Sequence, residues 1–129
     1  MAHKILIVDD NADMREIMQV YLSGYGFTVF VAKDGIAGIE TAHAEHPDVI
    51  VTDARMPRLD GIKMVRQLRA QPQTSNVPVI IVTGIDSEQR DAAQEAGADR
   101  VLSKPVSPSE LLSEIQVLIG SDMPSQPQA

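Results

Sequence analysis

The chain contains no cysteine, so neither a disulfide framework nor a thiolate metal site is open to it. That suits a reducing, cytoplasmic setting. Aromatic residues are only 3% of the sequence, which leaves no stacking platform for nucleobases. Basic residues are the minority: 11 Lys and Arg against 18 Asp and Glu give a net charge of −7. They are also scattered, whereas phosphate backbones are held by clustered Lys and Arg, so no direct nucleic-acid contact is expected. No apolar run approaches the ~20 residues that span a bilayer, and no basic-then-apolar leader opens the chain, so no membrane role is expected. What remains is a 129-residue sequence with 43% hydrophobic residues, enough to bury one core.

Apolar segments of two kinds alternate along it. Short runs rich in β-branched residues read as strands buried on both faces: 4–9, 27–31, 48–52, 79–83 and the weaker 100–103. Pro78 precedes the fourth, where its missing N–H harms no ladder. Between them lie helical patterns. Met14, Ile17, Met18, Tyr21 and Leu22 form one apolar stripe that ends at Gly24 and Gly26. A second helix carries Ile36 and Ile39 and stops before Pro47, and Ile62, Val65 and Leu68 mark a third. Ser87 to Ala96, ended by Gly97, is a polar, Ala-rich fourth. Ser107-Pro108-Ser109-Glu110 sets an N-cap, a first-turn proline and an early acid before a fifth helix with Leu111, Leu112, Ile115, Leu118 and Ile119 on its buried side.

Five strands alternating with five helices imply right-handed crossovers. The expected fold is an α/β, doubly wound, five-stranded parallel sheet of flavodoxin-like order 2-1-3-4-5, with helices on both faces. Residues 1–120 would form this domain, and the polar, proline-containing stretch 121–129 a tail or linker stub.

In such folds ligands bind beyond the carboxyl ends of the strands. Those ends carry Asp9 and Asp10 after the first, Asp53 after the third, Thr83 after the fourth and Lys104 after the fifth. Crowded carboxylates repel, and burial makes each harder to ionise. A small hard cation relieves both effects, and Mg²⁺ prefers oxygen ligands. Beside such an ion a carboxylate can attack phosphorus as a nucleophile, because phosphoryl transfer needs little beyond alignment and charge neutralisation. Lys104 offers a point charge to a phosphoryl oxygen and Thr83 a hydroxyl donor.

The blocks Ile5-Leu6-Ile7-Val8-Asp9-Asp10-Asn11, Val49 to Gly61, Ile80-Ile81-Val82-Thr83-Gly84 and Lys104-Pro105 resemble, in order and spacing over roughly residues 3 to 120, the signature blocks of response-regulator receiver domains. The resemblance implies that Asp53 accepts the phosphoryl group and that Asp9, Asp10, Asp53 and the Arg55 carbonyl hold Mg²⁺. It makes Thr83 the switch hydroxyl, Lys104 the phosphate partner, and Pro105 the residue after a cis peptide bond. It also implies a histidine kinase or histidine phosphotransfer protein as donor and a downstream protein as target. With so little chain beyond residue 120, output would run through protein contact or through a longer parent chain. Two departures stand out. Val101 occupies the place of an aromatic that commonly swings with the switch hydroxyl, and Val106 replaces a common aromatic after Lys-Pro. Arg55 and Ile85 flank the site, with bulk where an amide or acid could orient a water, and would prolong the life of the phosphoryl group.

Plainer readings exist for each residue. Asp9 and Asp10 could end a strand in a turn, Thr83 and Gly84 could be turn chemistry, and Lys104 an exposed loop lysine. Asp60 reads as a turn residue beside Gly61, Met14 and Met18 as core packing, and His43 and His46 as partners of a helix C-terminus. Among other functions, an aspartate-nucleophile phosphatase wants a second acid two residues past the nucleophile, where this chain has Arg55. A nucleotide or flavin binder wants a glycine-rich loop after the first strand, where this chain has Asp10-Asn11-Ala12-Asp13. A receiver-like module regulated without phosphate is favoured only by Val101.

Overall fold

The structure is a computed structural model that describes residues 2–56, 58–84 and 87–120. Expectations concerning Ile85 and the stretch 121–129 fall outside the described residues. Ten elements alternate strictly: β1 (Lys4–Val8), α1 (Ala12–Ser23), β2 (Thr28–Ala32), α2 (Gly35–Glu45), β3 (Val49–Asp53), α3 (Gly61–Arg69), β4 (Val79–Thr83), α4 (Ser87–Ala96), β5 (Arg100–Ser103) and α5 (Pro108–Ile119). The five strands are all parallel, in the order β2-β1-β3-β4-β5, with register pairs such as Ile5↔Val49, Ile50↔Val79 and Ile81↔Val101. The expected fold is the observed one.

Strand alternation splits the core into two layers. Leu6, Val8, Ile50, Val79 and Ile81 face one side, where Ala42 of α2, Met64, Val65 and Leu68 of α3, and Ala93 and Ala96 of α4 cover them. Ile5, Ile7, Val49, Val51 and Ile80 face the other, beneath Met18 and Leu22 of α1 and Leu111, Leu112 and Ile115 of α5. Central strands β1 and β3 are therefore buried almost throughout, while edge strands β2 and β5 are only partly covered.

Local differences from the sequence pattern have simple causes. Three strands shift by one residue at one or both ends, which makes Asp53 the last residue of β3 instead of the first after it. Ile17, read as part of the α1 stripe, is 48% exposed, at the margin of the face on which Met14, Met18, Tyr21 and Leu22 pack against the sheet. Asp60 does more than turn the chain: its Oδ1 accepts the Lys63 N–H at 2.8 Å and caps α3. His46 ends α2 in the left-handed region at φ 51°. Ser107 and Glu110 form the reciprocal capping box of α5, with Pro108 at its first turn.

Candidate functional site

Three loops at the carboxyl edge of the sheet converge. The first follows β1. Asn11 caps α1 by accepting the N–H groups of Asp13 and Met14, and its own N–H donates to Asp9 Oδ1 at 2.9 Å. Arg15, one turn into α1, donates from Nη1 to the Asp9 carbonyl at 2.8 Å. Backbone and carboxylate of Asp9 are thereby both tied down, while Asp10 stays exposed.

The second loop begins at Asp53, only 8% exposed. Thr52, fully buried, donates its hydroxyl to the Asp53 carbonyl at 3.0 Å, and Gly61 closes the loop with a 2.9 Å bond from its N–H to the Ala54 carbonyl. Gly61 is dictated by space: a Cβ there would sit 2.1 Å from the Asp53 carbonyl oxygen. The third loop follows β5. The Lys104 N–H donates to the Thr83 carbonyl at 2.7 Å, the Lys104–Pro105 peptide is cis, and Lys104 Nζ donates to Asp53 Oδ2 at 2.9 Å across 51 residues of sequence.

Asp9, Asp10 and Asp53 each offer a carboxylate oxygen within 4.8 Å of the others; they are the metal-competent group among the described residues, and His43 and His46 are not in it. Burial pushes the Asp9 carboxyl above its ordinary value of 3.8. The Asn11 N–H works against the rise, the charges of Asp53 and Asp10 add to it, and Lys104 offsets part of it. One lysine cannot neutralise three acids, so the cluster keeps an excess of negative charge that a divalent ion would relieve. An all-oxygen donor set of this kind suits a hard cation such as Mg²⁺.

The remaining residues fall into place around this cluster or away from it. Arg55 is exposed, two residues beyond Asp53. Thr83 is fully buried at the end of β4, and its hydroxyl faces Gly84 O at 2.9 Å with Leu102 O at 3.4 Å. Val101 packs against the α2–α4 core layer, and Val106 against the α1–α5 layer. A cavity of about 680 Å³ opens from the acids down between α1 and α5, walled by Met14, Met18, Val106 and Leu111. Met18 is core, as its spacing implies, but Met14 is only half-buried and both line this cavity. Arg15 escaped the sequence reading. The signal for it was its place on the first turn of α1, one helical step from the Asn11 cap.

A five-stranded parallel sheet in this order, with an acidic cluster and a lysine at its carboxyl edge, defines a receiver-type α/β domain. The chain belongs to the response regulator receiver domain family, whose pattern it matches over residues 5–116. It is 40% identical over 120 residues to the response regulator MprA of Mycobacterium ulcerans (strain Agy99), an alignment covering 92% of this chain and 51% of that protein. The chain thus spans about half the length of the curated relatives it matches. Among solved structures, the receiver domain of sensor histidine kinase PA1611 from Pseudomonas aeruginosa PAO1, with a magnesium ion coordinated in its active-site cleft, superposes with a TM-score of 0.85. It is 32% identical, with 93% of this chain and 99% of that one covered. The chemotaxis protein CheY4 of Vibrio cholerae gives a TM-score of 0.85 at 29% identity, with 92% and 99% covered.

Proposed function

We propose that residues 1–120 form a phosphoacceptor receiver that takes a phosphoryl group onto Asp53 from a phosphohistidine on a histidine kinase or phosphotransfer protein. The observation that carries this reading is the placement of Asp53 within 4.8 Å of Asp9 and Asp10 on one side and 2.9 Å from Lys104 Nζ on the other. An Asp53 carboxylate oxygen attacks phosphorus, the P–N bond to the donor imidazole breaks, and the imidazole leaves with the electron pair and takes a proton. Asp9, Asp10, Asp53 and the Arg55 carbonyl would hold Mg²⁺, which supplies neutralisation of the phosphoryl oxygen charge. Lys104 leaves its ion pair with Asp53 for a phosphoryl oxygen, which frees the attacking carboxylate. Thr83 turns its hydroxyl from Gly84 O to the phosphoryl group, and the rearranged surface selects a downstream protein target.

The domain catalyses only its own phosphorylation and dephosphorylation, in the cytoplasm where such donors act. With Val101 at the usual aromatic position, output runs without an aromatic swing. Arg55 and Ile85 shield the phosphoryl group from water. Loss of phosphate in the Arg55→Asn, Ile85→Glu double variant is therefore expected to be faster than in wild type, and an equal or slower loss refutes the shielding.

The primary test is incubation with acetyl phosphate, with and without Mg²⁺, followed by intact mass. A phosphate-sized gain is expected with Mg²⁺ in the wild type and not in Asp53→Asn. Phosphate retained in that variant would place the acceptor elsewhere.

A further inference from the structure

The loop that leaves Asp53 is anchored at its far end to a neighbour that no catalytic role requires. Arg58 adopts φ 70°, in the left-handed region that L side chains rarely occupy. Its Nη1 donates to Asp34 Oδ2 at 3.1 Å, and Asp34 is only 2% exposed while the Arg58 side chain is 57% exposed. The other Asp34 oxygen accepts the Ala37 N–H at 2.8 Å and caps α2, so this carboxylate is fixed before Arg58 reaches it. One residue further, the Gly35 N–H donates to the Leu59 carbonyl at 3.1 Å. A Cβ at Gly35 would lie 2.4 Å from that same oxygen, so the two backbones meet as closely as glycine permits. Met56 and Leu59 add packing against the core below. The Gly61 N–H bond to Ala54 O thus closes the loop on itself, and Arg58 and Leu59 within it are tied to Asp34 and Gly35 at the start of α2. Arg55 lies on the arc between.

We infer that Asp34 and Arg58 are positioning residues for the metal: by locking the far end of this loop to the start of α2 they hold the Arg55 carbonyl in place as a ligand. The inference rests on the proposed Mg²⁺ role of the acidic cluster. Its physical content is a ligand held in place without a side chain of its own, in the way hydrogen-bonded outer partners orient metal ligands elsewhere. By linkage the effect runs both ways, so bound Mg²⁺ tightens the Gly35–Leu59 contact.

Electrostatics alone predicts the opposite sign, which makes the test sharp. Arg58 carries a positive charge on the loop that leaves Asp53, so removing that charge without moving the loop could only leave Mg²⁺ binding unchanged or strengthen it. Positioning predicts weaker binding. Calorimetric titration of the full chain with MgCl₂ is expected to show Arg58→Met binding about 10-fold more weakly than wild type, with Arg58→Lys recovering most of the loss. Melting without Mg²⁺ should fall by only a few degrees, because the buried Asp34 carboxylate keeps its bond from the Ala37 N–H and the Arg58 partner is 57% exposed. Hydrogen exchange at the Gly35 amide should slow on Mg²⁺ addition in wild type and much less in Arg58→Met. Equal or tighter Mg²⁺ binding by Arg58→Met, or Gly35 exchange indifferent to Mg²⁺ in wild type, overturns the inference and leaves the phosphoacceptor reading intact. No Mg²⁺ binding by the wild type removes both.

Discussion

Replacing Gly61 by alanine is the smallest perturbation that couples the fold to the acceptor carboxylate. The added Cβ would lie 2.1 Å from the Asp53 carbonyl oxygen, 2.9 Å from Thr52 Oγ1 and 3.1 Å from the Asp53 carbonyl carbon. None of these is the free end of a flexible side chain, since two are backbone and Thr52 is fully buried. Widening the first contact to the 3.0 Å that real Cβ atoms respect means moving the end of β3 or the start of α3 by about 0.9 Å. Gly61 is not among the residues with positive φ, so the cost is steric and not conformational. Overpacking of this kind costs ~1–3 kcal/mol. The 2.9 Å bond from Gly61 N–H to Ala54 O is strained as well, adding about 1 kcal/mol. For a chain of this size the total lowers Tm by roughly 6–14 °C. Because the shift falls on the backbone of the nucleophile, phosphorylation should slow by about 100-fold, the usual consequence of a misplacement near 1 Å. Circular dichroism melting and the acetyl phosphate mass assay read the two effects separately. Gly61→Ala that melts with the wild type and is phosphorylated at the same rate would refute the steric argument.

Three further perturbations test other parts. Arg69, with a side chain only 21% exposed, donates to the carbonyls of Gly97, Ser75 and Val77 and to Asp99, tying the end of α3 to the chain entering β4 and β5; Arg69→Met should cost ~2–4 kcal/mol in urea denaturation through orphaned acceptors, and a loss below about 0.5 kcal/mol would show that water replaces the guanidinium. The Asp34 carboxyl is held below its ordinary 3.8, chiefly by the Ala37 N–H and also by Arg58. Its folded-state value lies below the unfolded one, so its contribution is present above pH 3.8 and is lost as pH falls through the depressed value; Asp34→Asn should flatten the stability–pH curve below pH 3.8, and an unchanged slope contradicts this. Lys104→Met removes the cation paired with Asp53. Mg²⁺ should then bind more tightly while phosphorylation slows by about 10-fold or more, and a variant phosphorylated at the wild-type rate removes Lys104 from the transfer.

Most of the architecture was legible in the residue pattern because its causes are local. β-Branched runs of five residues cannot bury themselves as helices, and strict alternation with amphipathic helices leaves one economical topology. Caps such as Ser107 with Glu110 act over three residues and can be read letter by letter. The acids at strand ends were legible for the same reason, since a parallel sheet brings every carboxyl end to one edge.

What the pattern could not settle depends on where side chains land in space. Asp60 looked like a turn residue and is a helix cap, a difference made by its Oδ1 meeting the Lys63 N–H. Ile17 belonged to the periodic stripe but lies at its solvent margin, beside the α1 residues that pack against the sheet. The partners of Arg15, Arg58 and Arg69 were invisible: a long side chain meets whatever lies within its reach, and for Arg58 that is an aspartate 24 residues away. The turn of the Thr83 hydroxyl toward Gly84 is likewise a rotamer choice that no sequence period encodes. Periodicity and capping are properties of neighbours along the chain, and so composition and order determine them; long-range pairs and rotamers are properties of the assembled packing, and only the folded chain decides them.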